Sequence, residues 1–173
     1  MIEKTVHSNG TIVWRNVNGQ FHRTDGPAIE KTDGTREWWL NSKRHRTDGP
    51  AIEDKHGRSW WVNGQLHRTD GPAVEDRDEK QWWMNNKLHR TDGPAVENKY
   101  GRSWYQNDKL HRLDEPAVEQ TDGTKMWYVN GQLHRTNGPA IEHADGTKEW
   151  HVNGQKTDKE TIQLYQLIIS HKG

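Results

Sequence analysis

Short apolar segments rich in Trp and Val alternate with turn-forming dipeptides roughly every 11 residues over positions 1–155. One class of turn is Asn-Gly or a close variant, as at 18–19, 63–64 and 130–131. Asn-Gly between apolar segments favours a two-residue hairpin turn, because both central residues accept positive φ. A second, looser class is Asp-Gly or a variant, as at 122–123. The pattern therefore predicts β-hairpins and no helix in this part of the chain.

One stretch of sequence recurs six times, and "LHRTDGPAVE" at 66–75 is repeated unchanged at 88–97. His-Arg pairs mark the copies, with steps of 23, 22, 22, 22 and 23 residues. A period of this length is typical of stacked supersecondary units. The one-residue difference is expected at the second turn, since within a strand it would exchange the two faces. The Thr-Asp-Gly-Pro element is expected inside the second strand, where Pro removes a ladder hydrogen bond.

The predicted fold class is all-β: an elongated, single-layer antiparallel meander of stacked β-hairpin repeats. It contains about six and a half units of 22–23 residues. The repeat array occupies residues 1–156, and the segment 157–173 breaks the repeat and forms a C-terminal capping α-helix with its tail.

The C-terminal segment predicts a helix over about 158–170. Thr157 or Asp158 can cap this helix, and Thr157 with Glu160 fits a capping box. Repeat arrays need a cap over their last unit, so the helix is expected to pack on the final hairpin. The alternative is a dimer contact, which leaves the protein either a monomer or a homodimer through this helix. The predicted apolar face of the helix consists of Ile162, Leu164, Tyr165, Ile168 and Ile169.

Composition narrows the partners. Apolar residues make up only 29% of the chain, but 10 residues are Trp, which indicates that tryptophan replaces a missing aliphatic core. Lys plus Arg and Asp plus Glu are both 25, so the net charge gives no support to binding of nucleic acid or an anionic membrane. Without Cys, neither a disulfide nor a Cys metal site is expected. The N-terminus lacks a signal-peptide core and no apolar run spans a bilayer, which predicts a cytoplasmic protein.

The segment "WVNGQLHRTDGPAVE" resembles the MORN repeat, which also has an aromatic strand, an Asn-Gly turn, a polar stretch and a closing Asp-Gly. The resemblance covers residues 1–156. It departs where typical units carry Gly-x-Gly and this chain has "HRTDGPA", a variant similar to repeats of phage, giant-virus and bacterial proteins. It implies stacked hairpins, an interaction or scaffolding role and, for a viral protein, the host cytoplasm. Lipid binding has been attributed to such repeats, but the zero net charge gives it little support.

Stacked repeats turn each position into a column. The first aromatic column is always Trp and is interpreted as core; it contains Trp38, Trp60, Trp82, Trp104, Trp127 and Trp150. The second column is interpreted as half-exposed and as a candidate binding row, because polar tips enter it in later copies. Its members are Trp39, Trp61, Trp83, Tyr105 and Tyr128, followed by His151.

The His-Arg pairs supply the other candidate binding residues, and an Asp follows two residues after most of the Arg. The Asp can pair with the Arg or serve its own turn. Three roles stay open: cross-bracing of neighbouring units, a grip on an anionic or aromatic partner, and a metal-binding His ladder. The candidates are His45, His67, His89 and His111 with Arg46, Arg68, Arg90 and Arg112.

No catalytic motif is present in the sequence, and an active site needs one asymmetric place, so a non-catalytic protein without a cofactor is predicted. The main hypothesis is an interaction surface for a protein partner, with inhibition of a host defence protein as the role that the phage resemblance implies. The alternatives are a binder of a small anionic ligand such as a nucleotide, and a structural component of an assembly. The fifth copy, with Leu113 and Glu115, breaks the pattern and predicts either an ordinary φ or a reshaped unit there.

Overall fold

The computed structural model describes residues 1–170, apart from the side chains of Tyr165, Ile169 and Ser170. The first strands are β1 (Ile2–Val6), β2 (Ile12–Asn16), β3 (Ile29–Glu30), β4 (Arg36–Glu37), β5 (Trp39–Leu40), β6 (Lys43–Arg44), β7 (Ile52–Glu53), β8 (Gly57–Ser59), β9 (Trp61–Val62), β10 (Gln65–Leu66), β11 (Val74–Asp76), β12 (Glu79–Gln81) and β13 (Trp83–Met84). The later elements are β14 (Lys87–Leu88), β15 (Val96–Asn98), β16 (Gly101–Ser103), β17 (Tyr105–Gln106), β18 (Lys109–Leu110), β19 (Val118–Gln120), β20 (Lys125–Met126), β21 (Tyr128–Val129), β22 (Gln132–Leu133), β23 (Ile141–Glu142), β24 (Lys148–Val152), β25 (Gln155–Thr157) and the helix α1 (Lys159–Ser170).

These strands form one 15-stranded antiparallel sheet and five separate two-stranded hairpins. Neighbours in the large sheet follow chain order, which confirms the predicted meander of stacked hairpins. Each copy after the first contributes one small hairpin and two strands of the large sheet. Met1–Lys87 forms one compact unit, and the chain from Leu88 onward forms a second. The six copies, numbered 1 to 6, are residues 14–37, 38–59, 60–81, 82–103, 104–126 and 127–149.

The tight turns follow the Asn-Gly prediction from copy 2 onward. In copy 3, Asn63 and Gly64 have φ of 52° and 82°, so both central residues occupy the left-handed region. The prediction is wrong for copy 1, where only Gly19 has positive φ. There the Gly19 N–H donates to the Asn16 carbonyl and the Asn16 N–H donates to the Gln20 carbonyl, which makes a longer turn.

The second turn absorbs the one-residue difference in repeat length, as predicted. In copy 1, which has the longer second turn, the Lys31 N–H donates to the Thr35 carbonyl and Gly34 has a φ of 89°. In copy 2, whose second turn is one residue shorter, the Asp54 N–H donates to the Gly57 carbonyl instead. The strands on either side keep their faces, because the additional residue stays within the turn.

The expectation that Thr-Asp-Gly-Pro lies inside a strand is wrong. In copy 2, β6 ends at Arg44 and β7 begins at Ile52, and a bent segment connects them. The Arg46 side chain donates to the Pro50 carbonyl at 3.2 Å, so a side chain and not a ladder organises this segment. In each copy we call the five residues from the Arg of the His-Arg pair to the following Pro the Arg loop. The six Arg loops are 23–27, 46–50, 68–72, 90–94, 112–116 and 135–139.

The innermost column of the sheet is Ala and not the first Trp column, which corrects the predicted core. In copy 2 the Trp38 N–H donates to the Ala51 carbonyl at 2.8 Å, where the hairpin strand meets the sheet. Only Trp127 of the first column is buried, and the other five rings are half-buried. Among the described residues, those with no exposed surface are Ala28, Ala51, Ala73, Ala95, Ala117 and Ala140.

The C-terminal helix forms as predicted, but Asp158 caps it. The Asp158 carboxylate accepts a hydrogen bond from the Thr161 N–H at 2.7 Å, while Thr157 belongs to β25, so the Thr157–Glu160 capping box is wrong. Ile162 is buried, as an apolar contact of a capping helix requires.

The rest of the predicted apolar face is not buried. Leu164 and Ile168 are 60% and 56% exposed. The side chains of Tyr165 and Ile169, which also belong to that predicted face, lie outside the described residues. In the part of the chain that the structure describes, no helix has the length and apolar character needed to cross a membrane.

Candidate functional site

The guanidinium group of each Arg loop is fixed by contacts within its own copy. In copy 3, the Arg68 Cζ lies 3.9 Å from the centre of the Trp60 ring, which is a close cation–π contact. Its Nε donates to Asp70 at 2.8 Å. Its Nη1 donates to the Pro72 carbonyl and to Glu75, both at 3.1 Å. The Arg side chain is therefore an internal brace that ties a hairpin, a loop and a sheet strand together.

The same contacts recur along the chain. The Arg-to-Trp distance lies between 3.8 and 4.1 Å in four further copies. The pairs are Arg23 with Trp14, Arg46 with Trp38, Arg112 with Trp104 and Arg135 with Trp127. In copy 4, Arg90 donates to Asp92 at 2.9 Å and to the Pro94 carbonyl at 3.1 Å. In copy 6, Asn137 replaces the Asp and accepts the same bond at 2.9 Å.

The Gly of the loop gives room to this Arg and is not needed for its own φ. A Cβ placed on Gly71 would lie 2.9 Å from the Arg68 Cζ, and one on Gly93 would lie 2.7 Å from the Arg90 Cζ. Neither Gly has a positive φ. The guanidinium is thus held between an indole ring on one side and a bare Cα on the other.

Copy 5 keeps the stack but changes the acidic partner of its Arg. Glu115 occupies the Gly position with an ordinary φ, so the first predicted alternative holds for the backbone. Arg112 pairs with Glu115, and among the described contacts no hydrogen bond joins it to Asp114. Leu113, in place of the usual Thr, is 70% exposed. The bends of this loop match those of copy 4, so copy 5 differs in the acidic partner of its Arg and not in a reshaped backbone.

The His column links each copy to the next. The His45 Nδ1 accepts a hydrogen bond from the Asn63 N–H of the following tight turn at 3.1 Å, and His134 does the same with Asn153. An Nδ1 that accepts a bond carries no proton, so the neutral ring holds its proton on Nε2. In three other copies the His Nδ1 lies 3.2–3.3 Å from the same backbone N–H but closer, at 2.8–3.1 Å, to the Asn side-chain Oδ1, which it contacts as a donor when it carries the proton. The pairs are His22 with Asn41, His67 with Asn85 and His111 with Asn130.

His89 differs, since its Nδ1 is buried and has no partner among the described residues. The geometry of the other rings corresponds to the cross-bracing interpretation. In the described part of the chain, no group of three or more His, Asp or Glu side chains is arranged to hold a metal ion.

A groove lies between the Arg loops of consecutive copies. The groove between copies 1 and 2 has a volume of 570 Å³, and the one between copies 2 and 3 has 450 Å³. One wall is the Arg loop of the earlier copy. The opposite wall is the first-column Trp, an aliphatic side chain, His and Arg of the later copy, namely Trp38, Leu40, His45 and Arg46, then Trp60, Val62, His67 and Arg68.

A third groove of the same kind, between copies 4 and 5, has a volume of 700 Å³. Here Gln106 stands in the aliphatic position, beside Trp104 and His111. The exposed Leu113 and Glu115 of copy 5 contribute to this groove alone among the three, so it differs in chemistry from the other two.

The predicted second aromatic column lies away from these grooves. Neighbouring residues of an extended strand point to opposite faces, so Trp61 faces away from the Trp60 side. The Trp61 indole donates to Ser59 at 2.8 Å, and the Trp83 indole donates to Gln81 at 2.7 Å. The Arg44 Cζ lies 4.9 Å from the Trp39 ring and 5.1 Å from the Trp61 ring.

The two tyrosines of that column, Tyr105 and Tyr128, are half-buried, and this burial raises the pKa of both phenols. The structure thus divides the predicted binding set. The predicted His and Arg meet the first Trp column at the grooves, and the second aromatic column lies on the other face. Sequence reasoning missed the grooves' Trp wall and the exposed Thr and Asp of the rim.

The Arg side chains do not make the grooves basic, since two Arg and two Asp line each of the first two grooves. Each Arg of copies 1–4 faces two carboxylates, the Asp of its loop and the Glu of the following strand. The Asp side chains are 78–81% exposed at the rim, and the hydrogen bond and charge of the neighbouring Arg lower their pKa. Their negative charge therefore persists into acid solution.

A separate carboxylate network closes the repeat array. Glu149 accepts hydrogen bonds from Lys156 at 2.8 Å and contacts His143 and His151 at 3.1 and 3.4 Å. These partners, Lys156 first, lower the pKa of Glu149 to about 2. Glu37 has the equivalent position in copy 1 and a similar set of partners, Lys31, Arg44 and Trp39. The arrangement is thus a bracing network, and neither Glu37 nor Glu149 lines one of the three grooves.

Comparison with known proteins leaves the class open. No protein-family model matches the chain, and no curated protein matches it. The functional proposal therefore rests on the geometry of the grooves.

Proposed function

We propose that this protein is a non-catalytic repeat protein, of MORN-like type, that binds a partner protein along its grooves. The observation that carries the proposal is the recurrence of one groove between successive Arg loops, with a Trp wall and a polar rim. Trp is among the residues that contribute most to protein interfaces. A recurrent, open, mixed surface suits a long contact with another chain better than it suits one reactive centre. Action in the cytoplasm, on a host defence protein if the source is a phage, remains part of this proposal.

The small anionic ligand is the weaker candidate. The Arg groups that would have gripped it are already paired with Asp and Glu, and the groove rims carry exposed carboxylates. Self-association is a further candidate function: the exposed Leu164 and Ile168 favour dimerisation through the C-terminal helix. Light scattering of the protein and of a Leu164→Glu, Ile168→Glu variant separates monomer from dimer.

The test of the proposed function uses groove-filling substitutions. Thr47 lines both grooves of the first unit, and Thr69 lines the second of them. Both side chains are exposed, so Thr47→Arg with Thr69→Arg should fold and obstruct the grooves. A partner captured by the tagged protein at fixed stoichiometry should be lost with this variant.

The matched control is Val17→Arg, which adds the same side chain at a 77% exposed position of the first tight turn. Capture should survive in this control. Equal capture by all three proteins would show that the partner binds elsewhere and would overturn the proposal.

A further inference from the structure

The grooves of the first unit repeat at a distance fixed by the sheet. Each copy adds two strands to the large sheet. Adjacent strands lie 4.7–4.9 Å apart, so equivalent points of consecutive copies are about 9.6 Å apart. A polyproline II helix has three residues per turn and rises 3.1 Å per residue, so it repeats every ~9.3 Å. Every third residue of such a segment would meet the same point of each successive copy.

Other regular segments fit this spacing less well. A β-strand rises about 3.3 Å per residue, but residues three apart point to opposite faces. An α-helix needs about seven residues, or 10.5 Å, to return to the same face, so its mismatch approaches 1 Å per copy. A helix is also ~10–12 Å wide with its side chains. Only the polyproline II segment combines the period with a narrow cross-section.

The walls of the grooves have the chemistry that such a segment uses. Proline-rich segments dock in grooves lined by aromatic residues. Trp38 with Leu40, and Trp60 with Val62, supply an aromatic and an aliphatic surface in the two grooves. At the rims, Asp25, Asp48 and Asp70 are 78–81% exposed. Each accepts a hydrogen bond from the Arg of its own loop with one carboxylate oxygen, Oδ1. These carboxylates form a row of negative charges that has the same repeat distance as the copies.

We propose that the grooves of Met1–Lys87 bind a proline-rich polyproline II segment that carries Lys or Arg at every third position. The proline rings pack on the Trp and aliphatic walls. The cations meet the Asp carboxylates of successive Arg loops. This inference rests on the proposed function and specifies the chemistry of the partner segment.

Synthetic peptides test the period and the conformation separately. The probe is a fluorescent peptide of three Pro-Pro-Lys triplets, titrated with the full-length protein and read by anisotropy. One control of three Gly-Ser-Lys triplets keeps the charge and the spacing but is flexible. A second control of three Pro-Pro-Pro-Lys units keeps the conformation but repeats every ~12.4 Å. The Pro-Pro-Lys peptide should bind at least about tenfold more tightly than either control. Equal affinity for all three would overturn the inference, because charge alone would then explain binding.

The chain offers its own neutral substitute for the rim carboxylates. Asn137 already replaces the Asp in copy 6 and keeps the bond to its Arg at 2.9 Å. The variant Asp25→Asn, Asp48→Asn, Asp70→Asn should therefore fold, and circular dichroism checks that it does. It should bind the Pro-Pro-Lys peptide about tenfold more weakly. Unchanged affinity in the folded variant would contradict the assigned role of the Asp row.

The two proposals fail in different ways. If no proline-rich peptide binds, but capture of a partner is lost with Thr47→Arg and Thr69→Arg, the proposed function stands and the polyproline II inference falls. If capture is insensitive to those substitutions, the proposed function falls, whatever the peptides do.

Discussion

The fourth and fifth Arg loops, both in the second compact unit, perform the same task with different residues. In the fourth, Arg90 pairs with Asp92, and its guanidinium lies against the bare Cα of Gly93. In the fifth, Glu115 stands at the Gly position and becomes the partner of Arg112. Both loops keep the bond from the Arg to the Pro carbonyl, at 3.1 and 3.2 Å. The Arg and the Pro carbonyl are thus the invariant anchor, and the acidic partner is replaceable.

Removing the anchor should have the largest effect. Arg112→Ala abolishes the stack on Trp104 and removes the donor to the Pro116 carbonyl and to the Glu119 Oε1. Glu119 keeps its pair with Arg102 through Oε2. We expect a loss of about 3 kcal/mol in the free energy of unfolding, measured by urea denaturation, because a brace whose side chain is only 25% exposed is replaced by a gap.

Arg112→Lys sharpens the test, since it keeps the charge but loses the planar stack and the fork of donors. It should recover less than half of the loss. A fully stable Lys variant would mean that charge, and not the stacked geometry, holds the loop.

Substitutions at the Gly position of the two loops should have an intermediate effect on the free energy of unfolding. Gly93→Ala puts a Cβ 2.7 Å from the Arg90 Cζ and should cost about 1–2 kcal/mol. The reverse change, Glu115→Gly, should stay within roughly 0.5 kcal/mol of the parent, since Asp114 is then free to take the Arg. Equal destabilisation by both changes would show that the two loops do not share one design.

Acid should weaken the loops that use Asp. Their pKa values are lowered in the folded protein by the neighbouring Arg, so this stabilisation is present at neutral pH and is lost as the pH falls through the folded pKa. Glu149, whose pKa falls to about 2 from an ordinary value of 4.5, contributes in the same direction over that window. The melting temperature should therefore decline below pH 4.5.

Two variants separate these contributions. Asp92→Asn should flatten the decline slightly and Glu149→Gln should flatten it more, because its pKa shift is the larger. A decline of the same steepness in both variants would assign the acid sensitivity to other groups.

The smallest effect belongs to Leu113→Thr. Its side chain is 70% exposed, so restoring the common residue should change the free energy of unfolding by less than about 0.5 kcal/mol. Thermal denaturation checks this. A larger loss would show that Leu113 packs within the groove between copies 4 and 5.

The sequence predicted the repeat, the hairpins and the helix because these depend on local turn chemistry and on period. It placed the one-residue difference at the second turn for the same reason. The Arg loop escaped prediction, since contacts of Arg68 with a Trp eight residues earlier and a Glu seven residues later define it. The role of Gly71 escaped as well, because a close approach by a side chain leaves no mark in the local pattern.

The choice of faces could not be read from the sequence either. Adjacent aromatics such as Trp60 and Trp61 are both half-buried, so the constancy of one column says nothing about which face opens to a partner. Ala has a small side chain and gives no special signal in the sequence. Yet among the described residues Ala73 and its equivalents are those with no exposed surface. Burial here follows from the close approach of strands, which only the pairing of the whole sheet determines.

The second turn has a consequence for the history of the gene. It accepts four or five residues without disturbing the strands beside it, as the turns at Asp54–Gly57 and Lys31–Thr35 show. Unequal recombination between two copies within such a turn would add or delete a whole repeat and keep every face in register. Natural variants of this chain that differ in the number of copies should therefore fold, and laboratory evolution has a ready site for lengthening or shortening it.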